Sequence, residues 1–406
     1  MVYLDNAATT FVDPEAVNII HNSLLNDNVN PSALYKQGRE KYSEIQECKK
    51  RIYKSLNLSD DPDGTYNNIY FTSGGCEGNN WIIKGCVAEY YRYYQNEGST
   101  YNVIHGRRTK IPHIITSSFE HHSVLNACKQ LEDLGMAKVT YIKPNKHGIV
   151  DPEDVRKNIA PIDSNYCTIL VSIMWVNNVL GTIQPIEEIG EICKTANVKF
   201  HTDAVQAVGN IPIDLSEYNI DFMTVSGHKF HAPKGIGFVY IKDTKYIQPM
   251  ISGGGQEFGM RAGTENLPYI KALTYCFEKY TEGAVIFDKQ LKMCVLKNEL
   301  GLRLSNIEDS LRFRSSYEIG TINIAFKNLI SDMLVYNLGE RGYLVSVGSA
   351  CDNGNFEDSH VLTSVDYPQD YMNGNIRITF NESNTLEEIQ EFSKILKEEI
   401  KNIRGY

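Results

Sequence analysis

The chain has 406 residues, 42% hydrophobic and 22% charged, which is ordinary for a soluble globular protein and long enough for two domains. Its net charge of −10 argues against direct nucleic-acid binding, which needs a positive field. No stretch approaches the roughly 18 apolar residues of a membrane span. Nine cysteines show no CxxC and no zinc spacing, so no metal site is expected and most should be buried small hydrophobes. The start, Met1-Val2-Tyr3-Leu4-Asp5, has neither a basic region nor a long apolar core, which suits a cytoplasmic chain without a membrane partner.

In chain order, Tyr3 to Thr10 reads as a short strand running into small polar residues. Asn30 to Tyr35 is a turn opening a helix, with Pro31 placed before it. Asn68-Ile69-Tyr70-Phe71 is a strand, followed by Thr72-Ser73-Gly74-Gly75-Cys76-Glu77 and a helix. Strand, glycine turn and helix aim free backbone N–H groups at a phosphate, although a plain tight turn has the same pattern. Residues 90–110 are polar, aromatic and irregular and read as a surface insertion; their basic run, His105 to Lys110, suits a solvated loop better than a binding patch. After the strand His113 to Thr116 come His121 and His122, too close in sequence for a metal pair. One of these imidazoles is able to stack on an aromatic cofactor and move protons near neutral pH.

Cys167 to Ile173 is near-continuously apolar, as expected of a strand buried on both faces of a parallel sheet. It leads to Asn178, on the side of an open α/β sheet where ligands bind. Asn197 to Phe200 is another strand, running into His201-Thr202-Asp203-Ala204-Val205-Gln206. Asp203 suits an acid set against a pyridine nitrogen, and equally a helix N-cap; Gln206 would reach a phenolic oxygen. The apolar run Asp221 to Val225 enters Ser226-Gly227-His228-Lys229, and Gly237 to Ile241 leaves that region. Lys229, just past a strand end, is placed to form a Schiff base with an aldehyde cofactor, with Ser226 and His228 donating to a phosphate. An ordinary surface lysine on a glycine-rich hairpin reads the same way.

Alternation of strands and helices up to Ile241 indicates a three-layer α/β domain. Gly253 to Asn266 is an irregular glycine-rich loop, and a long helical pattern from Asn266 to about Leu304 leads into a second, smaller domain. Cys351 lies on a Gly/Asn-rich loop, where accessibility raises it above the other cysteines, while Asp352 disfavours its thiolate. In the alternating strand Asn375 to Phe380, Arg377 points opposite Ile376 and Ile378; it suits bidentate capture of a carboxylate, or a surface ion pair. The final helix begins at Thr385 with a capping box.

The strings Asp203-Ala204-Val205-Gln206, Ser226-Gly227-His228-Lys229 and Gly348-Ser349-Ala350-Cys351 resemble those of the cysteine desulfurases. These are pyridoxal-phosphate enzymes of the class V aminotransferase group, NifS/IscS-like, and the resemblance runs from Tyr3 to about Lys397. It implies a fold-type I α/β transferase: a three-layer large domain with a mixed, mostly parallel seven-stranded sheet, and a smaller α+β C-terminal domain. The division would be 12–260 against 1–11 with 261–406.

The resemblance assigns roles residue by residue. Lys229 would carry pyridoxal 5'-phosphate, Asp203 pair with its ring nitrogen, His121 stack on the ring and move protons, and Asn178 lie beside ring and substrate. Gly75, Cys76, Ser226 and His228 would meet the phosphate, as would Thr264 from the partner subunit of a homodimer, while Gln206 would meet the phenolic oxygen. Arg377 would hold the carboxylate of L-cysteine, and Cys351 would be the nucleophile. The family has other residues where Tyr35, Cys76, Trp175, Val179 and Phe258 stand: commonly His, Thr, His, Glu and Arg.

The expected activity is conversion of L-cysteine to L-alanine with a persulfide on Cys351. That sulfur would pass to an acceptor protein, an iron–sulfur scaffold or a tRNA-thiolation enzyme. The alternatives are another pyridoxal-phosphate reaction, selenocysteine lysis or transamination, or a degraded relative serving as a sulfur carrier or interaction subunit.

Overall fold

A computed structural model describes residues 1–59, 65–96, 110–161, 164–347 and 359–405. A seven-stranded sheet dominates it, in the order Ile69–Thr72, Gly237–Ile241, Phe222–Ser226, Lys199–Asp203, Tyr166–Ser172, Ile111–Ser117, Lys138–Ile142. All strands run parallel except Gly237–Ile241, which is antiparallel to both neighbours. Successive side chains of a strand face opposite sides. Here both sides are apolar: Phe71, Ile115, Val171 and Phe238 enter one core, and Tyr70, Ile114, Leu170 and Val239 the other. The first core is closed by helices that include Lys36–Ser55, Ile186–Thr195 and Leu267–Thr281, the second by Gly75–Asn96 and His122–Asp133. This is the expected three-layer domain, and double-sided burial explains why its strands read as continuous apolar runs.

The second sheet is antiparallel and four-stranded, ordered Ser346–Val347, Asn375–Thr379, Thr321–Phe326, Ser310–Arg312. Helices Gly283–Leu304, Ser331–Glu340 and Leu386–Arg404 pack on it around Ile322, Ile324, Ile376 and Ile378. The last begins with the capping box between Thr385 and Glu388. The chain start belongs here too: Val2–Tyr3 pairs in parallel with Tyr343–Leu344, and Asp5 bridges Thr379. The sequence division at 260 falls before the helix Leu267–Thr281, whose buried face joins the large-sheet core.

Two expectations change. The helical pattern from Asn266 to Leu304 is two helices, because Glu282 adopts ψ 130 and redirects the chain. The helix Gly75–Asn96 also continues into the stretch read as irregular, with the Tyr90 hydroxyl donating to the Lys110 carbonyl at 2.9 Å. The rest of that insertion, 97–109, lies outside the described residues, and with it all of the basic run except Lys110. No helix among the described residues is long and apolar enough to cross a membrane.

His113 and His201 sit fully buried within the large sheet, each ring nitrogen within 2.8 to 3.0 Å of a Ser or Thr hydroxyl. Burial pushes His113 down to about 4 and His201 down to about 3. The unfolded chain, with histidines near 6.5, therefore binds protons that the folded chain refuses, and stability is lost as pH falls through that window. Each ring should cost about 3 kcal/mol of stability between pH 6.5 and pH 4. Urea unfolding at several pH values checks this: His201→Asn should lower the slope by about 1.4 kcal/mol per pH unit.

Candidate active site

The site forms where the parallel strands end, starting with a single tight turn. Strand Phe222–Ser226 runs into the 3-10 turn Gly227–Lys229. Gly227 has no room for a side chain: a Cβ would lie 2.9 Å from Leu273 and 3.1 Å from the Ile236 carbonyl. The Lys229 Nζ donates to the carbonyls of Ala7 at 2.5 Å and Ala8 at 2.8 Å. Gln206 Nε2 donates to the same Ala7 carbonyl at 2.9 Å. Thr10 ties the chain start down further, its hydroxyl donating to the His228 carbonyl at 3.0 Å and accepting from the His231 N–H at 2.9 Å. His228 Nδ1 lies 3.1 Å from the Thr9 hydroxyl, and burial, with Lys229 and Lys234 nearby, pushes its pKa down to about 4. His228 is thus neutral near pH 7, with one ring N–H to donate.

Asp203 ends its strand 5% exposed. One of its oxygens accepts from the Val205 N–H at 2.9 Å, the local bond of a turn, and the other from Asn79 Nδ2 at 2.7 Å. No helix follows Asp203, because the chain runs on in turns to Phe222, so the N-cap expectation is not met. Asn79 Nδ2 also reaches the Ser123 hydroxyl at 2.8 Å, which lies 2.8 Å from His121 Nδ1. His121 is the N-cap of helix His122–Asp133, and its Nδ1 accepts from the Ser123 N–H at 3.1 Å. Burial lowers the pKa of His121, with Asp203 acting the other way and Lys229 adding to the lowering. Glu120 beside it is fully buried and pushed up to about 8, first by burial and then by Asp203. Its oxygens accept from the Ser117 hydroxyl at 2.5 Å and the Met174 N–H at 3.0 Å.

The glycine turn follows strand Ile69–Thr72. Gly74 has φ +146, and a Cβ there would meet Ser226 Oγ at 3.3 Å, so the turn packs directly against the Lys229 strand. Gly75 is equally tight, since a Cβ would lie 2.9 Å from Val205. Cys76 is exposed in the first helical turn. The Ser73 N–H is taken by Glu77 at 2.7 Å, and Glu77 in turn pairs with Arg261 Nε at 2.9 Å. Arg261 comes from the 253–266 loop, so that loop does bring a cation to the turn although Phe258 is not one.

Arg377 is 3% exposed and faces away from Ile376 and Ile378, as its strand requires. It donates to Asp5 at 2.7 Å and to the Asn178 carbonyl at 3.2 Å, and its Nε is buried without a partner. Asn178 thus meets Arg377 through its backbone. Its neighbour Asn177 is structural: buried, accepting from the N–H groups of Val179 and Leu180 and donating to the Phe119 carbonyl. Trp175 and Val179 lie in the core, Trp175 edge-on to Tyr218 at 5.1 Å. Thr264 is exposed on its loop, and Cys351 lies outside the described residues.

This set fits pyridoxal phosphate. Lys229 rests on neutral carbonyls, Asp203 supplies a buried acid, and Ser226, a neutral His228 and a turn without Cβ atoms supply a phosphate cradle. The orphaned Arg377 Nε leaves a donor for an anionic substrate group. Sequence reasoning did not single out Asn79, Ser123 or Glu120, and it placed the segment from Asp5 to Thr10 at the site without pairing Asp5 with Arg377. One signal was available: Asn79 is a polar residue beside the apolar Trp81, Ile82 and Ile83 of its helix.

Comparison with known proteins agrees. The chain matches the family described as Aminotransferase class-V over residues 2–392. It is 38% identical over 412 residues to the cysteine desulfurase IscS of Methanosarcina thermophila, covering 100% of this chain and 93% of that one. It is 34% identical over 420 residues to a cysteine desulfurase of Nostoc sp., covering 100% and 94%. Among solved structures, a NifS-like protein superposes with a TM-score of 0.83 at 32% identity, covering 98% of both chains. SspA in complex with cysteine superposes with a TM-score of 0.76 at 31% identity, covering 95% of this chain and 100% of that one. The chain belongs to the class-V aminotransferase family, among its cysteine desulfurases of the NifS/IscS kind.

Proposed function

We propose that the chain takes sulfur from L-cysteine onto Cys351, with pyridoxal 5'-phosphate held by Lys229, and passes it to an acceptor protein. The observation that carries this reading is the meeting of Lys229, Gln206 and the Ala7 carbonyl beside the linked Asp203 and His121. When bound, the cofactor supplies a sink for the electrons left at the substrate α-carbon. Arg377 orients the substrate by its carboxylate, in competition with Asp5. Lys229 would take the proton from the α-carbon, Asp203 would keep a proton on the ring nitrogen of the bound cofactor, and His121, its pKa lowered by burial, would move protons at the same site. The Cys351 thiolate attacks the substrate sulfur. An S–S bond forms, the C–S bond breaks, and its electron pair passes to the substrate carbon, which is protonated to give alanine.

The relatives' names support desulfuration of cysteine, and an iron–sulfur scaffold or a tRNA-thiolation enzyme would then take the sulfur. Pairing of two chains in the cytoplasm, with Thr264 completing the partner's phosphate site, belongs to the same reading. Arg377→Met tests the substrate assignment. Loss of a charge-assisted contact should raise KM for L-cysteine about 10- to 150-fold while the bound cofactor keeps its absorbance. An unchanged KM in a folded variant would remove Arg377 from the substrate site.

A further inference from the structure

We propose that Asn79 is a positioning residue whose single amide sets the proton arrangement of both Asp203 and His121. The inference rests on the reading of those two residues as the ones that hold the cofactor ring. Asn79 is 1% exposed in the helix that follows the glycine turn. Its two amide hydrogens are both spent, one on Asp203 Oδ2 at 2.7 Å and one on the Ser123 hydroxyl at 2.8 Å. Its carbonyl Oδ1 is buried without a partner. An unsatisfied buried acceptor is costly, and such an exception in a core calls for a reason.

The amide cannot turn over. A flipped Asn79 would set its carbonyl oxygen against the Asp203 carboxylate, two acceptors at 2.7 Å. With nitrogen fixed on that side, the remaining proton positions follow. Ser123 Oγ receives the Asn79 N–H, so its own hydrogen is free to point at His121 Nδ1, 2.8 Å away. The Ser123 backbone N–H also points at that nitrogen, at 3.1 Å. His121 therefore keeps its lone pair on Nδ1 and its proton on Nε2. The other amide hydrogen holds Asp203 Oδ2 in place, while Oδ1 is held by the Val205 N–H at 2.9 Å. Acid and imidazole thus come from a strand end and a helix N-cap but answer to one side chain, and the orphaned carbonyl is the consequence of aiming both hydrogens away from it.

The test compares wild-type holoprotein with Asn79→Leu, close in volume but without donors, and with Ser123→Ala, which cuts only the His121 arm. The visible absorbance of the lysine-bound cofactor is followed against pH with no substrate present. Asn79→Leu should move its midpoint by about half a pH unit or more, and Ser123→Ala by less. Alanine release should fall about tenfold in Asn79→Leu, and by less than the sum of the two losses in the double variant. Should the leucine variant not fold, Asn79→Ser, smaller and with one donor, is read in the same way. A visible band with an unchanged pH curve and additive rate losses would overturn the role of Asn79 alone. No visible band in any of the proteins after addition of pyridoxal phosphate would overturn the reading of the site, and this inference with it.

Discussion

Lys229→Ala removes the visible absorbance that pyridoxal phosphate gives with the wild-type chain and lowers alanine release from L-cysteine by at least about a thousandfold. Two separate losses combine in that result. In the proposed reaction the amine is both the covalent handle on the aldehyde and the base that acts on the substrate α-carbon. Lys229 lies against the carbonyls of Ala7 and Ala8. Cofactor held only by its phosphate would absorb as the free aldehyde and leave on dialysis. Substantial desulfuration by a folded Lys229→Ala protein would contradict the assignment.

The fold was legible where one physical rule acts alone. Strands buried on both faces read as unbroken apolar runs, and Cys167 to Ile173 in the sequence is Tyr166–Ser172 in the sheet. Asp203 and Lys229 were legible because each stands directly after such a run, at the strand ends where α/β sheets hold ligands. The break at Glu282 was not, because an ordinary residue turns the chain there and helical periodicity resumes at Gly283. Partners remote in sequence were equally hidden. Nothing near Arg377 points to Asp5, which lies 372 positions away, or near Asp203 to Asn79, 124 positions away. Those contacts arise only when the chain start crosses to the Lys229 turn and the glycine-turn helix packs across the sheet. The roles of Thr264 and Cys351 rest on the sequence resemblance.

Cys351→Ala is the second large effect. A thiolate is the only group proposed to take the substrate sulfur, and six of the other eight cysteines are poorly suited to replace it. Cys48, Cys86, Cys128, Cys193 and Cys276 are buried, and burial raises their thiol pKa values, to about 12 for Cys193 and Cys276. Buried thiols held protonated are weak nucleophiles. Cys76 is exposed but lies at the turn that would meet the phosphate.

The most direct measurement is alanine and sulfide release from L-cysteine, with a reductant present, by the purified yellow protein and by its Cys351→Ala variant. The account predicts equal amounts of the two products from the wild type. It predicts a loss of at least about a thousandfold in the variant, with the yellow colour unchanged. Equal rates from both proteins would contradict sulfur transfer through Cys351.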